Sequence, residues 1–303
     1  MKLSRQVALI LFATSSCYAT HPVTFAAIES YIKKPQPHSY VDYQSFESLS
    51  KHANGLFTAE QYEEAIAFYK QALALNPTCA QIFFNLGQAL YYAKKYPEAL
   101  YAYKKTIQYK NDHSRAYVQI AKVMIDVKQT SDAIEPLKKA LTIESNNPDA
   151  RLLLARAYND KHSFNLAIDV LLEGLKLSPN DINLTFELAN TYNLVNRLDE
   201  SLAIYQDLDR QLPNNPSILY NIAFTFKKMG DMATALPYYT RTLEINPDHA
   251  EALFSRGLAY LMMGDLIKDG MDMNGATAAL LKDLCVLTQN RVGMDQIYKV
   301  KQS

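Results

Sequence analysis

The chain has 303 residues and no tryptophan, 49% of its residues are apolar, and its 31 basic and 31 acidic residues give a formal net charge of zero. This balance provides no electrostatic basis for binding nucleic acid or an anionic membrane surface. The 21 tyrosines and only nine glycines favour helices that pack through aromatic side chains.

The first 19 residues have the layout of a secretory signal peptide. Lys2 and Arg5 precede an apolar run over residues 7–13, and small polar residues then lead to Cys17 and Ala19. The pattern predicts cleavage after Ala19 and export to the periplasm or beyond the cell. The apolar run of residues 7–13 is too short to cross a bilayer as a helix, so no integral membrane span is predicted after removal of the leader. Two alternatives stay open: an ordinary first helix of a cytoplasmic protein, and a lipid anchor on Cys17.

Residues 20–45 are predicted to be a separate N-terminal segment and linker. They contain Pro22, Pro35 and Pro37 together with scattered tyrosines and histidines. The pattern allows one short helix over residues 24–33, and the stretch KKPQP at residues 33–37 predicts an extended linker.

A period of 34 residues organises the chain from residue 46 to about residue 265. Small residues recur at this period without insertion or deletion: Ala53, Gly87, Ala121, Ala155, Ala189, Ala223 and Gly257. A large apolar residue stands three places after each, and a second small column follows at twelve places. A second large column follows at sixteen places: Tyr69, Tyr103, Leu137, Leu171, Tyr205 and Tyr239. Spacings of three and four put each small–large pair on one face of a helix. The repeat therefore predicts an all-α chain of antiparallel helix pairs that bury their apolar faces only by stacking.

These columns resemble the tetratricopeptide repeat (TPR) family. The resemblance implies a right-handed superhelical solenoid of antiparallel helix pairs, with units that start at residues 46, 80, 114, 148, 182, 216 and 250, the last incomplete at residue 265. Arg151 and Thr185 depart from the large apolar residue that the family has early in the first helix. Pro136 and Pro237 are predicted to bend the second helices in which they fall.

Residues 266–303 leave the repeat pattern. Residues 268–275 are predicted to be a loop, and residues 276–287 an amphipathic helix that caps the last apolar face. The seventh unit also resembles the one that precedes a Gly-Trp-x-x-Tyr-Glu-Trp-Arg stretch in repeat proteins joined to a glycosyltransferase domain. When residues 268–277 are translated back into codons, a reading frame shifted by one base earlier can encode this stretch. The hypothesis implies that the chain is a truncated relative that has lost its catalytic domain. A terminal unit that has merely diverged is the alternative.

The chain carries no residue pattern that indicates catalysis. Its six histidines lack metal-ligand spacing, and it has neither a glycine-rich phosphate loop nor a Gly-x-Ser-x-Gly elbow. The sequence thus predicts a non-enzymatic protein with no metal and no cofactor. Cys79 and Cys285 are predicted to be unpaired, because stacked units would hold them too far apart for a disulfide.

In the TPR family the first helices line a concave groove, and the resemblance implies which columns of this chain face it. The implied partner-binding residues are Asn54, Phe84, Asn85, Gln88, Arg115, Lys122, Arg156, Asn190, Tyr220 and Asn221. An apolar row beside a polar row with two central cations suits an extended peptide, whose backbone bonds to amide side chains and whose acidic groups meet the cations. The predicted function is a protein–protein interaction scaffold that binds an extended peptide or a partner protein in this groove. A targeting or regulatory remnant of a TPR-containing glycosyltransferase-like protein is the alternative.

Asn54, Asn85 and Arg115 also fall on three of the five places with which some family members grip a C-terminal carboxylate. Ser50 and Gln119 replace cations at the other two, which predicts a weakened anion site rather than a full clamp. For individual groove residues the alternative is inter-unit packing or ordinary surface charge. The oligomeric state is not predicted by any of these patterns.

Overall fold

The computed structural model describes residues 45–266 and the side chains of residues 45–260. The predicted signal peptide, the segment up to residue 44, the loop and capping helix over residues 268–287, the reading-frame change and Cys285 lie outside these residues. Within them the chain forms thirteen α-helices and one 3-10 helix, and it forms no β-strand.

The helices belong to two compact bodies, an N-terminal body up to Lys128 and a C-terminal body from Gln129 onward. The helices described in the N-terminal body are α1 (Phe46–Thr58), α2 (Tyr62–Leu75), α3 (Ala80–Tyr92), α4 (Tyr96–Tyr109) and α5 (Ser114–Asp126). Those described in the C-terminal body are the 3-10 helix (Thr130–Ala133), α6 (Ile134–Ile143), α7 (Pro148–Asp160), α8 (Phe164–Leu177), α9 (Ile182–Leu194), α10 (Leu198–Gln211), α11 (Pro216–Lys228), α12 (Met232–Ile245) and α13 (Ala250–Leu266).

Within each body every helix packs against the next one along the chain. In the N-terminal body α1 also touches α3, and α3 touches α5; in the C-terminal body α7 touches α9, and α11 touches α13. These contacts confirm the predicted all-α fold of consecutive packed helix pairs. No helix among the described residues has both the length and the apolar composition that spanning a membrane requires.

The first small column and the second large column of the repeat lie in the core of each body. The small column includes Ala53, Ala121, Ala155, Ala189 and Ala223, all buried. The tyrosines of the second large column are buried as well and are among the largest fully buried side chains. At Gly87 the ring of Tyr103 approaches the backbone of α3 so closely that a Cβ atom on residue 87 would lie 2.6 Å from Cε1 of Tyr103. Small residues therefore recur because a ring from the second helix rests directly on the first helix.

The turns between first and second helices share a backbone feature that the repeat pattern does not predict. One residue in each of these turns adopts a positive φ, and the six stand 34 residues apart: Glu60, Lys94, Lys128, His162, Asn196 and Gly230. In the first repeat the backbone N–H of Gln61 then donates to the carbonyl oxygen of Leu56 at 2.9 Å, which closes the end of α1. Only Gly230 carries the usual glycine signal for this conformation.

The two prolines that were predicted to bend second helices, Pro136 and Pro237, lie at different places in their helices. Pro136 lies in the first turn of α6, because residues 130–133 form a 3-10 helix and the α-helix begins only at Ile134. A proline in a first turn has no intrahelical hydrogen bond to lose, so the prediction of a bend inside the helix was wrong there. Pro237, in contrast, lies inside α12 as expected.

Arg151 occupies the position where the repeat has a large apolar side chain, and it is only 6% exposed. Its guanidinium donates twice to the carbonyl oxygen of Ser145, at 2.9 and 3.2 Å, and once to that of Val170 at 3.4 Å. It also pairs with the Glu173 carboxylate at 3.1 Å. Gly174 makes room for the side chain, because a Cβ atom there would lie 2.8 Å from Cδ of Arg151. The buried cation is thus accommodated by hydrogen bonds at its head and a glycine beside its stem.

Candidate functional site

The predicted partner-binding residues all lie on first helices, six of them in the N-terminal body and four in the C-terminal body. We call the first set the N-terminal surface: Asn54, Phe84, Asn85, Gln88, Arg115 and Lys122 on α1, α3 and α5. We call the second set the C-terminal surface: Arg156, Asn190, Tyr220 and Asn221 on α7, α9 and α11.

Three amides and a tyrosine form one hydrogen-bonded chain on the N-terminal surface. Oδ1 of Asn54 accepts from the Tyr69 hydroxyl at 2.7 Å and from Nδ2 of Asn85 at 3.0 Å. Nε2 of Gln81 donates to Oδ1 of Asn85 at 2.8 Å. Because the Asn54 oxygen is occupied twice, its amide nitrogen is the atom that this exposed side chain offers to a ligand.

Phe84 is placed differently from what a groove-lining residue would show, because its ring is only 3% exposed. The imidazole of His113 lies over it with ring centroids 4.6 Å apart, and the Arg115 guanidinium lies 5.6 Å from the ring centroid. Phe84 is therefore a buried ring beneath the surface. The exposed Arg115 is positioned over this ring by a cation–π interaction.

His113 has a structural role beside this cation. Its Nδ1 accepts from the backbone N–H of Ala116 at 3.2 Å and so caps the start of α5. Burial lowers the pKa of His113 below its ordinary value, and the positive charge of Arg115 adds to this effect. The neutral imidazole is therefore the favoured form next to Arg115.

Gln88 and Lys122 complete the N-terminal surface, and both are partly exposed. Ser50, at the place of a missing clamp cation, donates its hydroxyl to the carbonyl oxygen of Phe46 at 2.7 Å and is thus tied to its own helix. The surface as a whole presents amide donors and two cations, Arg115 and Lys122. This chemistry suits acceptor atoms such as peptide carbonyls and carboxylates.

On the C-terminal surface the predicted cation Arg156 is already paired. Its Nε lies 2.8 Å from Oε2 of Glu187, which is only 6% exposed. Oε1 of the same carboxylate accepts from Nδ2 of Asn159 at 3.3 Å, and that nitrogen also donates to Thr191. Arg156 itself remains about half exposed, so its guanidinium is oriented by a buried carboxylate.

The remaining three residues of the C-terminal surface, Asn190, Asn221 and Tyr220, each have a different environment. Asn190 accepts a hydrogen bond from the hydroxyl of Tyr205. Asn221 donates to the carbonyl oxygen of Ser217 at 2.8 Å. Tyr220 stacks on Phe224, with centroids 6.1 Å apart, and on the imidazole of His249 at 5.0 Å. Tyr220 and Phe224 of α11 and His249, which precedes α13, thus form a row of three partly exposed rings.

Two tyrosines that were not among the predicted site residues hold the groove asparagines in place. Tyr69 stands fifteen residues after Asn54, and Tyr205 fifteen residues after Asn190, so the pairing recurs at one place in two repeats. The same spacing links Gln88 to Tyr103, yet the buried Tyr103 hydroxyl has no hydrogen-bond partner among the described residues. An asparagine followed fifteen residues later by a tyrosine is therefore the sequence signal for this hydrogen bond. Glutamine in the place of the asparagine, as in Gln88, does not give it.

Removing the Tyr103 hydroxyl is expected to stabilise the protein. Tyr103→Phe should raise the free energy of unfolding by about 1 kcal/mol, because a buried hydroxyl without an acceptor is destabilising. The matched variant Tyr69→Phe should lower it by about 1 kcal/mol, because it breaks the bond to Asn54. Urea unfolding followed by circular dichroism measures both changes. Shifts of the same sign in the two variants would contradict this account of the Tyr103 site.

The described residues contain no group of three or more His, Cys, Asp or Glu side chains that could hold a metal ion. Cys79 is a free, partly buried cysteine. The chemistry offered by residues 45–260 is therefore that of hydrogen-bonding and charged surfaces on packed helices, which defines the class of a helical-hairpin repeat protein.

Comparisons with known proteins support the TPR family for this chain. A model described as TPR repeat matches residues 53–92, and two models described as tetratricopeptide repeat match residues 216–249 and 238–269. No curated protein matches the chain. These matches concern repeats alone, and the predicted relationship to a glycosyltransferase is not supported by them.

Solved structures show the same fold. A tetratricopeptide repeat protein from Parabacteroides merdae is 17% identical, with a TM-score of 0.65, covering 80% of this chain and 99% of its own. PilW, described as a widely conserved type IV pilus biogenesis factor, is 18% identical, with a TM-score of 0.60 and coverages of 70% and 98%. YrrB, described as a TPR protein with an unusual peptide-binding site, is 23% identical, with a TM-score of 0.52 and coverages of 62% and 97%.

Proposed function

We propose that this protein is a non-enzymatic scaffold that binds an extended segment of a partner protein across its first helices. The observation that carries the proposal is the arrangement of donors on the N-terminal surface. Asn54 and Asn85 are fixed by hydrogen bonds, and Arg115 is held over Phe84. Donors that are already ordered lose little side-chain freedom on binding, so more of their interaction energy appears as affinity.

The chemistry of this surface favours an acidic, extended segment. Amide nitrogens can bond the carbonyl oxygens of a peptide backbone, and Arg115 and Lys122 can bond carboxylates. TPR proteins bind proteins or peptides, and the fold that this chain shares with YrrB is one that carries a peptide-binding site in that protein. The layout of residues 1–19 supports a further part of the proposal, namely that the scaffold works after export.

The test uses fluorescein-labelled decapeptides in which glutamate or aspartate alternates with alanine, made with free and with amidated C-termini. Fluorescence anisotropy with the full chain measures their binding. Arg115→Ala and Lys122→Ala should each weaken binding by about fivefold, which corresponds to roughly 1 kcal/mol per charged contact. Lys104→Ala, an exposed cation on the second helix α4, is the matched control and should leave the affinity unchanged.

Two outcomes would count against the proposal. If none of the acidic peptides binds, or if Lys104→Ala weakens binding as much as Arg115→Ala, the N-terminal surface is not the binding site. If Arg115→Ala weakens free and amidated peptides equally, the residual C-terminal carboxylate site is ruled out while the scaffold function stands.

The alternative of a glycosyltransferase-derived remnant draws no support from the described residues. It rests on residues 268–277, which lie outside them. The nucleotide sequence downstream of the gene tests it, because an open frame without glycosyltransferase-like sequence would rule it out.

A further inference from the structure

The outer face of α1 carries an open groove in the N-terminal body. The groove has a volume of about 440 Å³. It is lined by Ser48, Lys51, His52, Gly55 and Leu56 of α1 and by Gln61 of the following turn. The five helical residues are spaced by three, one, three and one, so they form one continuous stripe along the helix. We call this stripe the α1 groove.

The equivalent positions of the next repeat show which residues occupy this stripe when another helix covers it. In α3, the positions that correspond to Ser48, His52 and Gly55 are held by Ile82, Leu86 and Ala89. All three of these residues are buried. The preceding second helix, α2, packs against α3. The α1 groove therefore lies where the second helix of a preceding repeat would pack, and α1 is the first helix that the structure describes.

We propose that residues 24–33 of the same chain occupy the α1 groove as a short capping helix. Phe25, Ile28 and Ile32 are spaced by three and four, so they would share one helical face. Glu29 borders that face and has the charge that complements the exposed Lys51 on the rim of the groove. The proposed helix ends where Pro35 prevents its continuation.

The chain is long enough to bring this helix to the groove. Residues 34–45 separate it from the start of α1 and can span up to about 40 Å when extended. The thirteen residues of α1 are only about 20 Å long. A Cβ atom at Gly55 would meet nothing within 4 Å, so the middle of the groove has room for a side chain of the cap. An N-terminal cap of this kind shields the apolar end of the stack, as terminal units of helical arrays do.

Cysteine cross-linking in the full chain tests the proposal. The three native cysteines are first replaced by serine, and Ile28→Cys is then combined with Gly55→Cys. The pair should close to an intramolecular disulfide under mild oxidation, as seen by mass spectrometry of the monomer. The matched pair Ser30→Cys with Gly55→Cys has nearly the same tether length but points away from the groove, so it should close about tenfold more slowly.

Each other result would overturn the proposal. Equal closure rates for the two pairs would show that residues 24–33 do not dock in one orientation. Cross-links that form only between chains would show that a second copy of the protein occupies the α1 groove. Should a cysteine variant fail to fold, hydrogen exchange gives a second reading. Ile28→Asp should speed exchange of the α1 amides by about tenfold relative to Ser30→Asp, and equal exchange in the two variants would contradict docking.

Discussion

Replacing Arg151 by alanine is expected to lower the free energy of unfolding of the C-terminal body by about 3 kcal/mol. The side chain is 6% exposed and fills a position that five of the other six repeats give to a large apolar residue. Truncation leaves a cavity beside Gly174 and removes the three hydrogen bonds to the carbonyl oxygens of Ser145 and Val170. Glu173 is largely exposed and would lose little when its partner disappears.

The measurement is urea unfolding of the two variants Arg151→Ala and Arg210→Ala. Arg210 belongs to the same body and is mostly exposed, and within residues 45–260 its one ion pair is with Asp207 on its own helix, so its removal should have almost no effect. Arg151→Met separates the two causes, because methionine keeps much of the volume and loses the hydrogen bonds. A loss in Arg151→Ala no larger than that in Arg210→Ala would show that the buried guanidinium contributes no net stability.

Arg151 also marks the limit of what the repeat pattern could predict about the fold. The period located the small and the large columns correctly, because the packing of one ring on one backbone recurs in every repeat and constrains each unit alike. A residue that departs from its column, such as Arg151, gives no indication of how it packs. The buried arginine is tolerated because its guanidinium donates to the backbone carbonyl oxygens of Ser145 and Val170, and a pattern of side chains does not reveal backbone acceptors.

The positive-φ residue of each helix turn escaped prediction for a related reason. Glutamate and lysine, which occupy this place as Glu60 and Lys94, do not favour that conformation on their own. The stacked helices impose the turn, and the local hydrogen bonds close it. Tertiary packing therefore decides the conformation at Glu60 and Lys94, whereas Gly230, Asn196 and His162 are residue types with a local preference for it.

For the candidate site, the family columns predicted which helices carry it but not how its side chains pair. Column mapping places Arg156 on a first helix, yet it gives no sign that Glu187 from the next first helix neutralises it. It likewise selects Phe84 without showing that His113 and Arg115 cover the ring. That the selected residues bind a partner stays a prediction.

The pairing of Arg156 has a consequence for any mutational test of binding. Arg156→Ala should lower the free energy of unfolding by about 2 kcal/mol, because it leaves the carboxylate of Glu187 buried without its cation. The figure lies below that for a fully buried pair, since Arg156 is about half exposed and water screens it in part. Lys122→Ala is the matched control in the same repeat column. No ion pair of Lys122 exists among the described residues, so its removal should change stability very little.

A double-mutant cycle separates the fold from the function at this position. Glu187→Gln keeps a hydrogen-bonding side chain next to Asn159 but removes the charge, so adding Arg156→Ala to it should cost less than about 1 kcal/mol. If Arg156 binds acidic peptides, its removal should weaken their binding in the Glu187→Gln background as well, where stability no longer confounds the result. Equal destabilisation by Arg156→Ala in both backgrounds would mean that the buried carboxylate does not depend on this cation. The orientation of Arg156 would then have to come from packing along α7 rather than from Glu187.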